Sequence, residues 1–410
     1  MKTNQQQKNI HPEWQQVKIG VVCDISAGGT PSTDVLEYWE GGNIPWANSA
    51  EINKKNIYQT ENFITDEGFK NSSAKIVPAN SVLIALAGQG STRGKVAVNK
   101  ISLTTNQSIA FFIPKKDISY SFLRSDLERR YQELRSISAG DGGRGGLNLQ
   151  ILKSIKIKLP PLPEQNRIVS VLETWDKSIE KLSKKIQIKK NIRLALKQNL
   201  LSGKKRLSGF GDKWQTLLLK DVCKIYDGTH QTPTYVEHGI PFYSVEHVTS
   251  NDFKNTKYIS EKVYESEIKK VRIERGDILM TRIGSIGAIK YIDWDVKASF
   301  YVTLALLKVN RSFDSKALSF FLTTKDFQNE LRAKTLHVAF PIKINLGDIG
   351  ECKIYLPKDI KEQEAIAKIL NTAEDEIQEL EKKLQIIKDQ KKYLLNNLIT
   401  GTIRTPDPAK

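Results

Sequence analysis

The sequence predicts an α/β (α+β) protein in which two globular units alternate with two long helices that pair as an antiparallel coiled coil. Three observations lead there. A Glu-Gln helix opening is written twice, 198 residues apart, at Glu164-Gln165 and Glu362-Gln363. Each opening runs into a long stretch whose apolar positions recur by alternating steps of four and three. The segments between are short, strand-like and closed by Gly-rich turns. The expected order is a globular unit over 12–158, a helix over 159–207, a globular unit over 208–355 and a helix over 356–404.

The repeat comes first, because a fixed internal period determines the architecture. Sliding the chain by its period aligns Leu172 with Leu370, Ile179 with Ile377, Leu182 with Leu380, Asn199-Leu200 with Asn397-Leu398 and Gly203 with Gly401. About 16 of 40 positions match without a gap, far above chance. Upstream the echo fades to Trp14-Gln15 with Trp214-Gln215, Val22-Cys23 with Val222-Cys223, and "LNLQILKSIKIKLP" with "INLGDIGECKIYLP". Helices that stay alike share one job, while globular parts that differ meet different things. Such a chain has a pseudo-two-fold internal repeat.

In the helices, the expected seam is Ile168, Leu172, Trp175, Ile179, Leu182 and Ile186 against Ile366, Leu370, Ala373, Ile377, Leu380, Leu384, Ile387, Leu394 and Leu398. Lys391 interrupts the second run; Lys189 and Arg193 interrupt the first. A 3.5-residue period keeps an apolar stripe on one face of a left-handed coiled coil. Gly203 and Gly401 punctuate the C-termini. About 38 residues make a rod of roughly 57 Å. Each helix begins acidic (Glu173, Asp176, Glu180; Glu374, Asp375, Glu376, Glu379, Glu381) and ends basic (Lys184, Lys185, Lys189, Lys190, Arg193; Lys388, Lys391, Lys392). Antiparallel pairing sets acid against base at both ends, so the seam binds and the charges orient.

In the globular units, "SVLIALAG", "AFFIP", "DILMTRIG" and "YVTLALLKV" read as strands, and 121–136 and 315–333 as amphipathic helices with Ser N-caps. Loops "SAGGTPST" and "DGTHQTPT" occupy equivalent places, as do "GQGSTRGK" and "TRIGSIGAIK"; "GDGGRGG" precedes the last strand of the first unit. Gly lets backbone approach a ligand, and Ser, Thr, Asn and Arg supply donors for phosphates and base edges.

Composition sets the partner class. Lys and Arg number 63 against 46 Asp and Glu, a net charge of +17 over 410 residues, which points to a polyanion. No apolar run approaches the ~18 residues of a membrane span, and "MKTNQQQKNI" lacks a signal-peptide core. Cys23, Cys223 and Cys352 form neither a disulfide framework nor a zinc spacing, and read as buried thiols in a reducing cytosol.

Enzyme signatures fail on spacing. "GQGSTRGK" has Gln89 where a P-loop needs Gly, and Val96 where it needs Ser or Thr. Gly140, Gly142 and Gly145 fit G-x-G-x-x-G but lie outside a strand-helix context. The five histidines, His11, His230, His238, His247 and His337, make no metal motif. Asp252 with Glu267 and Lys269 is the one combination a Mg-dependent nuclease could use. Pro160-Pro161 is followed by Leu162, not by the aromatic of an adenine methyltransferase motif. The chain reads as a binder.

The layout resembles the specificity (S) subunits of type I restriction-modification systems. The likeness spans about 12–404 and rests on the Leu-Pro…Glu-Gln openings at 159–165 and 356–363, "GGTPST" before "YWEGGNIPWANSAEI", "DGTHQTP" before "GIPFYSVEHV", and "GDILMTRIGSIG". The resemblance implies two target recognition domains, each reading half of a bipartite double-stranded DNA target. It implies spacer helices that dock two methyltransferase (M) subunits and, through them, two restriction (R) subunits. It implies no catalytic or metal site and no cofactor in this chain, with S-adenosylmethionine, ATP and Mg belonging to the partners, and a cytoplasmic location. The DNA-contact candidates are Thr30, Ser32, Trp46, Asn48, Ser49, Gln89, Ser91, Thr92, Arg93, Lys95 and Arg144 in the first unit. In the second they are Thr229, His230, Thr232, Tyr243, Ser244, Glu246, Arg282, Ser285 and Lys343. Arg93 and Arg282 lead, since Arg binds guanine bidentately in the major groove. The competing readings are a coiled-coil scaffold for proteins and a stand-alone nuclease.

Overall fold

The computed structural model of the chain describes residues 13–87, 91–137 and 147–406. Two long helices, Leu162–Leu201 and Ile360–Thr400, alternate with the two globular parts. The compact units do not end where the helices begin. One comprises the chain up to Ser183 together with Lys382 onward; the other is Lys184–Glu381. Each unit is thus one globular part plus half of each long helix.

In the first unit the main sheet has five strands in the order Cys23–Ala27, Ile109–Pro114, Val82–Ala85, Val96–Asn99, Asn56–Ile57. All neighbours are antiparallel except the last pair. Val82–Ala85 is buried at every residue, as a continuous apolar run in an interior strand requires. The second unit repeats the design with Cys223–Asp227, Leu304–Val309, Ile278–Ile283 and Ser285–Tyr291. A small second sheet accompanies each: Asn62–Ile64, Ile44–Ala47, Thr104–Thr105 in the first, and Tyr235–Val236, Lys257–Ile259, Ile240–Tyr243, Ser299–Phe300 in the second. A two-stranded ribbon then closes each globular part. Gln15–Lys18 pairs antiparallel with Lys156–Leu159, and Gln215–Leu218 with Lys353–Leu356. The strand that leads into each long helix is therefore tied to the first strand of its own unit.

The repeated Glu-Gln pair has a structural purpose in both units. Gln165 accepts the Ser119 backbone N–H (2.8 Å) and donates to the carbonyls of Asp117 (2.9 Å) and Pro160 (2.8 Å). Gln363 accepts the Asp314 N–H (2.9 Å) and donates to the Pro357 carbonyl (2.8 Å). Each glutamine thereby fastens the start of its long helix to the start of a globular-domain helix. The glutamates are buried, Glu164 at 2% and Glu362 at 1% exposure. Glu164 accepts the Trp14 indole N–H (3.0 Å) and the Arg404 guanidinium (Nη2, 2.7 Å). Glu362 accepts Trp214 (3.3 Å) and Arg206 (Nε 2.7 Å, Nη2 2.8 Å). Each arginine also lies over the tryptophan ring, 5.5 Å from the Trp14 centroid for Arg404 and 5.6 Å from Trp214 for Arg206.

Arg404 and Arg206 follow the C-terminus of one long helix and close on the N-terminus of the other. The glycines that end the helices belong to the same device. Gly203 and Gly401 have φ of +68° and +74°. A Cβ there would lie 3.3 Å from Trp214 and 3.2 Å from Trp14 respectively, so only glycine meets both the turn and the packing. The apolar cores follow suit. That of the first unit includes Trp14, Ile168 and Leu172 with Leu395, Leu398 and Ile399; that of the second includes Trp214, Ile366 and Leu370 with Leu200 and Leu201. This shared burial is why the compact units cut the helices at their middles.

Along the seam, Ile168, Leu172, Ile186, Ile366, Leu370, Ile377 and Leu398 are buried, and Trp175, Ile179, Leu182, Ala373, Leu380, Leu384, Ile387 and Leu394 half-buried. The charged interruptions are paired. Lys391 bonds Asp176 (2.7 Å) in the first unit. Lys189 meets Glu376 (2.8 Å), Lys190 meets Glu381 (2.6 Å) and Arg193 meets Glu374 (2.9 Å) in the second. Early acid faces late base in both, the antiparallel arrangement. The three cysteines are free and buried, and burial pushes each thiol up to about 12.

Two helix expectations need correction. The segment 121–136 is two helices, Tyr120–Arg129 and Tyr131–Ile137, the first with Ser119 at its N-cap. The turn at Arg130 is held by its guanidinium, which reaches Asp126 (2.7 Å), Glu133 (3.2 Å) and the Lys156 carbonyl (2.9 Å). The segment 315–333 breaks into Ser315–Phe321, capped by Asp314 rather than Ser315, and Lys325–Ala333, capped by Thr324. Thr323 and Thr324 donate back to the carbonyls of Phe320 (2.6 Å) and Phe321 (2.7 Å), competing with the helical ladder.

Replacing Glu164 or Glu362 by Ala leaves a buried indole N–H and a half-buried arginine without their acceptor, at a cost of about 1–3 kcal/mol. Chemical denaturation should show each variant lowering the stability of its own unit; an unchanged transition would exclude the role given to these glutamates. Asp176→Lys should cost about 1–2 kcal/mol. Lys391→Asp added to it should recover part of that loss, because Lys55 (3.8 Å) and Arg124 (3.9 Å) also face Asp176. A strictly additive double variant in the same assay would show that the pair does not interact.

Candidate nucleic-acid interface

In the first unit most candidates fall on one contact-linked surface. Trp46 is buried and donates its indole N–H to the Gly29 carbonyl (3.0 Å), tying strand Ile44–Ala47 to the Gly-rich loop. Trp46 is therefore a support beneath that loop and not an exposed contact. Thr30, half-buried, donates to Gln107; Ser32 is exposed, and its carbonyl accepts the Trp39 indole (3.0 Å). Asn48 caps the turn of helix Ser49–Lys54 by accepting the Ala50 N–H (2.9 Å), and Ser49 opens it half-buried. From that helix, Asn53 accepts Lys95 Nζ (2.8 Å), which also reaches Ser91 (3.2 Å). Tyr131 donates to the Ser91 carbonyl (2.8 Å). Thr92 and Arg93 are half-buried between them. Beside Lys95 opens a cavity of about 350 Å³ lined by Asn53, Lys55, Arg124, Glu128 and Tyr131. Gln89 and Arg144, and with them "GDGGRGG" and His11, lie outside the described residues.

In the second unit the organising group is one that sequence reasoning passed over. Asp227, with its side chain 15% exposed, binds the His230 ring (2.5 Å) and the Lys270 ammonium, and faces Arg282 Nη2 at 3.9 Å. Burial alone would push the Asp227 carboxyl up; the hydrogen bonds from Lys270 and His230 outweigh it and hold the group below the usual range. A cavity of about 210 Å³ adjoins, lined by Thr229, His230, Glu267 and Lys270 among others. Asp227 opens "DGTHQTPT", so its place was visible; its partner Lys270, far along the chain in a charged run, carried no signal.

Arg282, expected at the surface, is a correction. It is buried at 7% exposure and donates to the Ile344 carbonyl (3.3 Å). Its strand runs between two neighbours, and a register shift between Met280 and Arg282 changes the face its side chain takes. Burial pushes the guanidinium down, and Asp227 partly offsets that. Tyr243 is also buried, edge-on to Phe253 at 4.9 Å, and its carbonyl accepts the Tyr301 N–H (2.8 Å).

The remaining candidates of the second unit are accessible to different degrees. Thr229 is half-buried and donates its N–H to the Phe300 carbonyl (3.1 Å); Thr232 is exposed, 3.2 Å from the Tyr301 hydroxyl. Ser244 forms a capping box with His247, and Glu246 is exposed in the first turn beyond it. Ser285 and Lys343 are exposed on adjacent turns joined by the Ile283–Lys343 bridge. The carboxylate combination considered for a nuclease is not assembled. Asp252 accepts the Lys254 N–H (2.9 Å) and the Asn255 side chain (2.8 Å) as a turn cap. Among the described residues no group of three His, Cys, Asp or Glu could hold a metal ion. No described helix is long and apolar enough to cross a membrane.

Asp227→Asn should loosen the 228–234 loop, read as faster amide exchange there with the rest of the unit unchanged. The depressed carboxyl contributes stability that is full above its unfolded value near pH 4 and is lost as pH falls through the lower folded value. Loop protection in the wild type should therefore fade only below about pH 4. Fading already at pH 6, where the carboxylate is still charged, would show that Asp227 does not hold the loop.

Two polar loop surfaces of different composition, each on a similar sheet and each fastened to the same pair of helices, invite comparison with known proteins. The family described as type I restriction modification DNA specificity domain matches residues 12–190 and again 211–388. The MjaVIII specificity subunit of Methanocaldococcus jannaschii is 25% identical over 96% of this chain and 94% of its own length. The MjaIX subunit of that organism is 30% identical over 60% of this chain, which spans 62% of it. The EcoR124I/EcoR124II specificity subunit of Escherichia coli is 32% identical over 40% of this chain and 41% of its own length. In fold, the S subunit of the type I restriction-modification system from M. genitalium is similar at a TM-score of 0.60 and 16% identity, with 98% of each chain covered. The HsdS subunit from Thermoanaerobacter tengcongensis is similar at 0.55 and 16%, covering 97% and 99%. With the domain matched twice over most of its length, the chain belongs to the family of type I restriction-modification specificity subunits.

Proposed function

We propose that this chain is the non-catalytic DNA-reading subunit of a type I restriction-modification complex. The observation that supports it best is the doubled specificity domain, with two dissimilar polar surfaces on one repeated scaffold. Each globular domain reads one half of a bipartite duplex target, and the paired helices set the unread gap between the halves. Half-sites about one helical turn apart (roughly 34–36 Å) present the same DNA face to both domains. The +17 charge supplies salt-dependent attraction to the phosphates. Direct readout then falls to the accessible loop residues, led in the first domain by Arg93.

The like faces of the two helices dock two M subunits, and two R subunits join through them. S-adenosylmethionine, ATP and Mg act in those partners, which methylate adenine or cleave unmodified DNA in the cytoplasm. A coiled-coil scaffold for proteins alone leaves the charge surplus without a purpose.

Mapping methylated adenines in host DNA, with this chain present or deleted and the other subunits intact, tests the reading. Deletion should erase methylation at one split motif, two short blocks around a fixed gap. Arg93→Ala should relax one block by about 10–100-fold, the worth of one bidentate base contact, and leave the other block as it was. A methylation map indifferent to deletion would favour the scaffold.

A further inference from the structure

The second unit carries an exposed apolar finger. Over Leu336–Ile342 the side chains of Leu336 and Ile342 are more than a third exposed, and those of Val338 and Phe340 are fully exposed (99% and 103%). Single exposed apolar residues are ordinary on protein surfaces. Four at alternate positions of one short loop, with an aromatic ring wholly in solvent, are not.

The base of the finger is well held. Leu336 N–H donates to the Lys343 carbonyl (2.8 Å), and Gly284 N–H to the Ile342 carbonyl (2.8 Å). Lys343 also bridges Ile283, on the turn that presents Ser285. The finger is thus continuous with the candidate surface. Its charge is one-signed. From Leu331 to Gly347 there is no Asp or Glu, while Arg332, Lys334, His337 and Lys343 all lie there. Arg332, His337 and Lys343 are exposed.

An apolar tip on a segment that carries basic residues and no acidic ones suits a polyanion that has a flat apolar interior. Double-stranded DNA meets that description, since a side chain such as Phe can enter between stacked base pairs while Lys and Arg hold the flanking phosphates. We propose that Phe340, supported by Val338, is a wedge that unstacks or stacks upon a base step at the half-site read by the second domain. This rests on the DNA-recognition reading above. The corresponding stretch of the first repeat, Ile137–Gly146, is rich in Gly and has no aromatic residue. The wedge therefore acts on one half-site only.

The test uses the chain assembled with its methyltransferase subunits. The probes are duplexes of the mapped target, with 2-aminopurine placed singly through both blocks. Wild-type complex should raise 2-aminopurine fluorescence at one step in one block. Phe340→Ala should abolish that signal and weaken binding about 5–150-fold, the range for losing one base–aromatic stack. Phe340→Trp should restore both, and Val338→Ser should lose part. Since neither side chain is buried, folding is not at risk. Wild-type affinity and an unchanged fluorescence profile in Phe340→Ala overturn the wedge. So does failure of Phe340→Ala to assemble with the methyltransferase subunits while its DNA binding persists, which makes the finger a protein contact. If wild-type complex prefers its target no more than random duplex, the DNA-recognition reading falls first and takes the wedge with it.

Discussion

A carboxylate out of water beside an indole and a guanidinium is the interaction on which this architecture depends. Glu164 and Glu362 are each buried at the start of a long helix, and each is satisfied from two directions. Trp14 or Trp214 reaches it from the first strand of the same globular part. Arg404 or Arg206 reaches it from the segment just past the end of the other helix. A buried carboxylate without such partners would be costly, so three segments distant in sequence must converge or none can settle. The glycine that ends each helix lies against the same tryptophan, which couples helix termination to the clamp.

That constraint explains why the helices stayed alike while the domains diverged. The Glu-Gln pair, the terminal Gly and the following Arg act together, and a change in any one leaves the others mispaired. Outside the clamp, the main sheets need only keep their buried strands. The loops at the polar surfaces carry no comparable demand. They are free to differ, and they do: a Lys95–Asn53–Ser91 arrangement in one unit, an Asp227 hub with His230, Lys270 and Arg282 in the other.

Charge works at two levels. Within the coiled coil, Asp176 with Lys391 and Glu374 with Arg193 set direction, and each pair stands where the apolar seam is interrupted. At the surface, the net charge of +17 favours a polyanion, and the stretch from Leu331 to Gly347 that carries the exposed finger contains Arg332, Lys334 and Lys343 with no Asp or Glu. The finger interrupts the usual pattern of apolar inside and polar outside. Such an exception is informative because folding gains nothing from it.

The sequence by itself determined the repeat, the seam, the antiparallel direction and the helix stops. These follow from local periodicity, from charge order along one helix, and from glycine at a turn, none of which needs long-range coordinates. The buried strands around Leu83 and Leu279 were legible for the same reason. Only the tertiary structure decided which loop side chains reach solvent. Arg282 and Tyr243 have the side-chain chemistry of surface donors, yet a strand position between two neighbours and an aromatic cluster place them inside. Lys270 joined Asp227 from 43 residues away, and Arg404 found Glu164 from 240. Such pairings depend on where the chain is folded back, and residue type or spacing does not encode them.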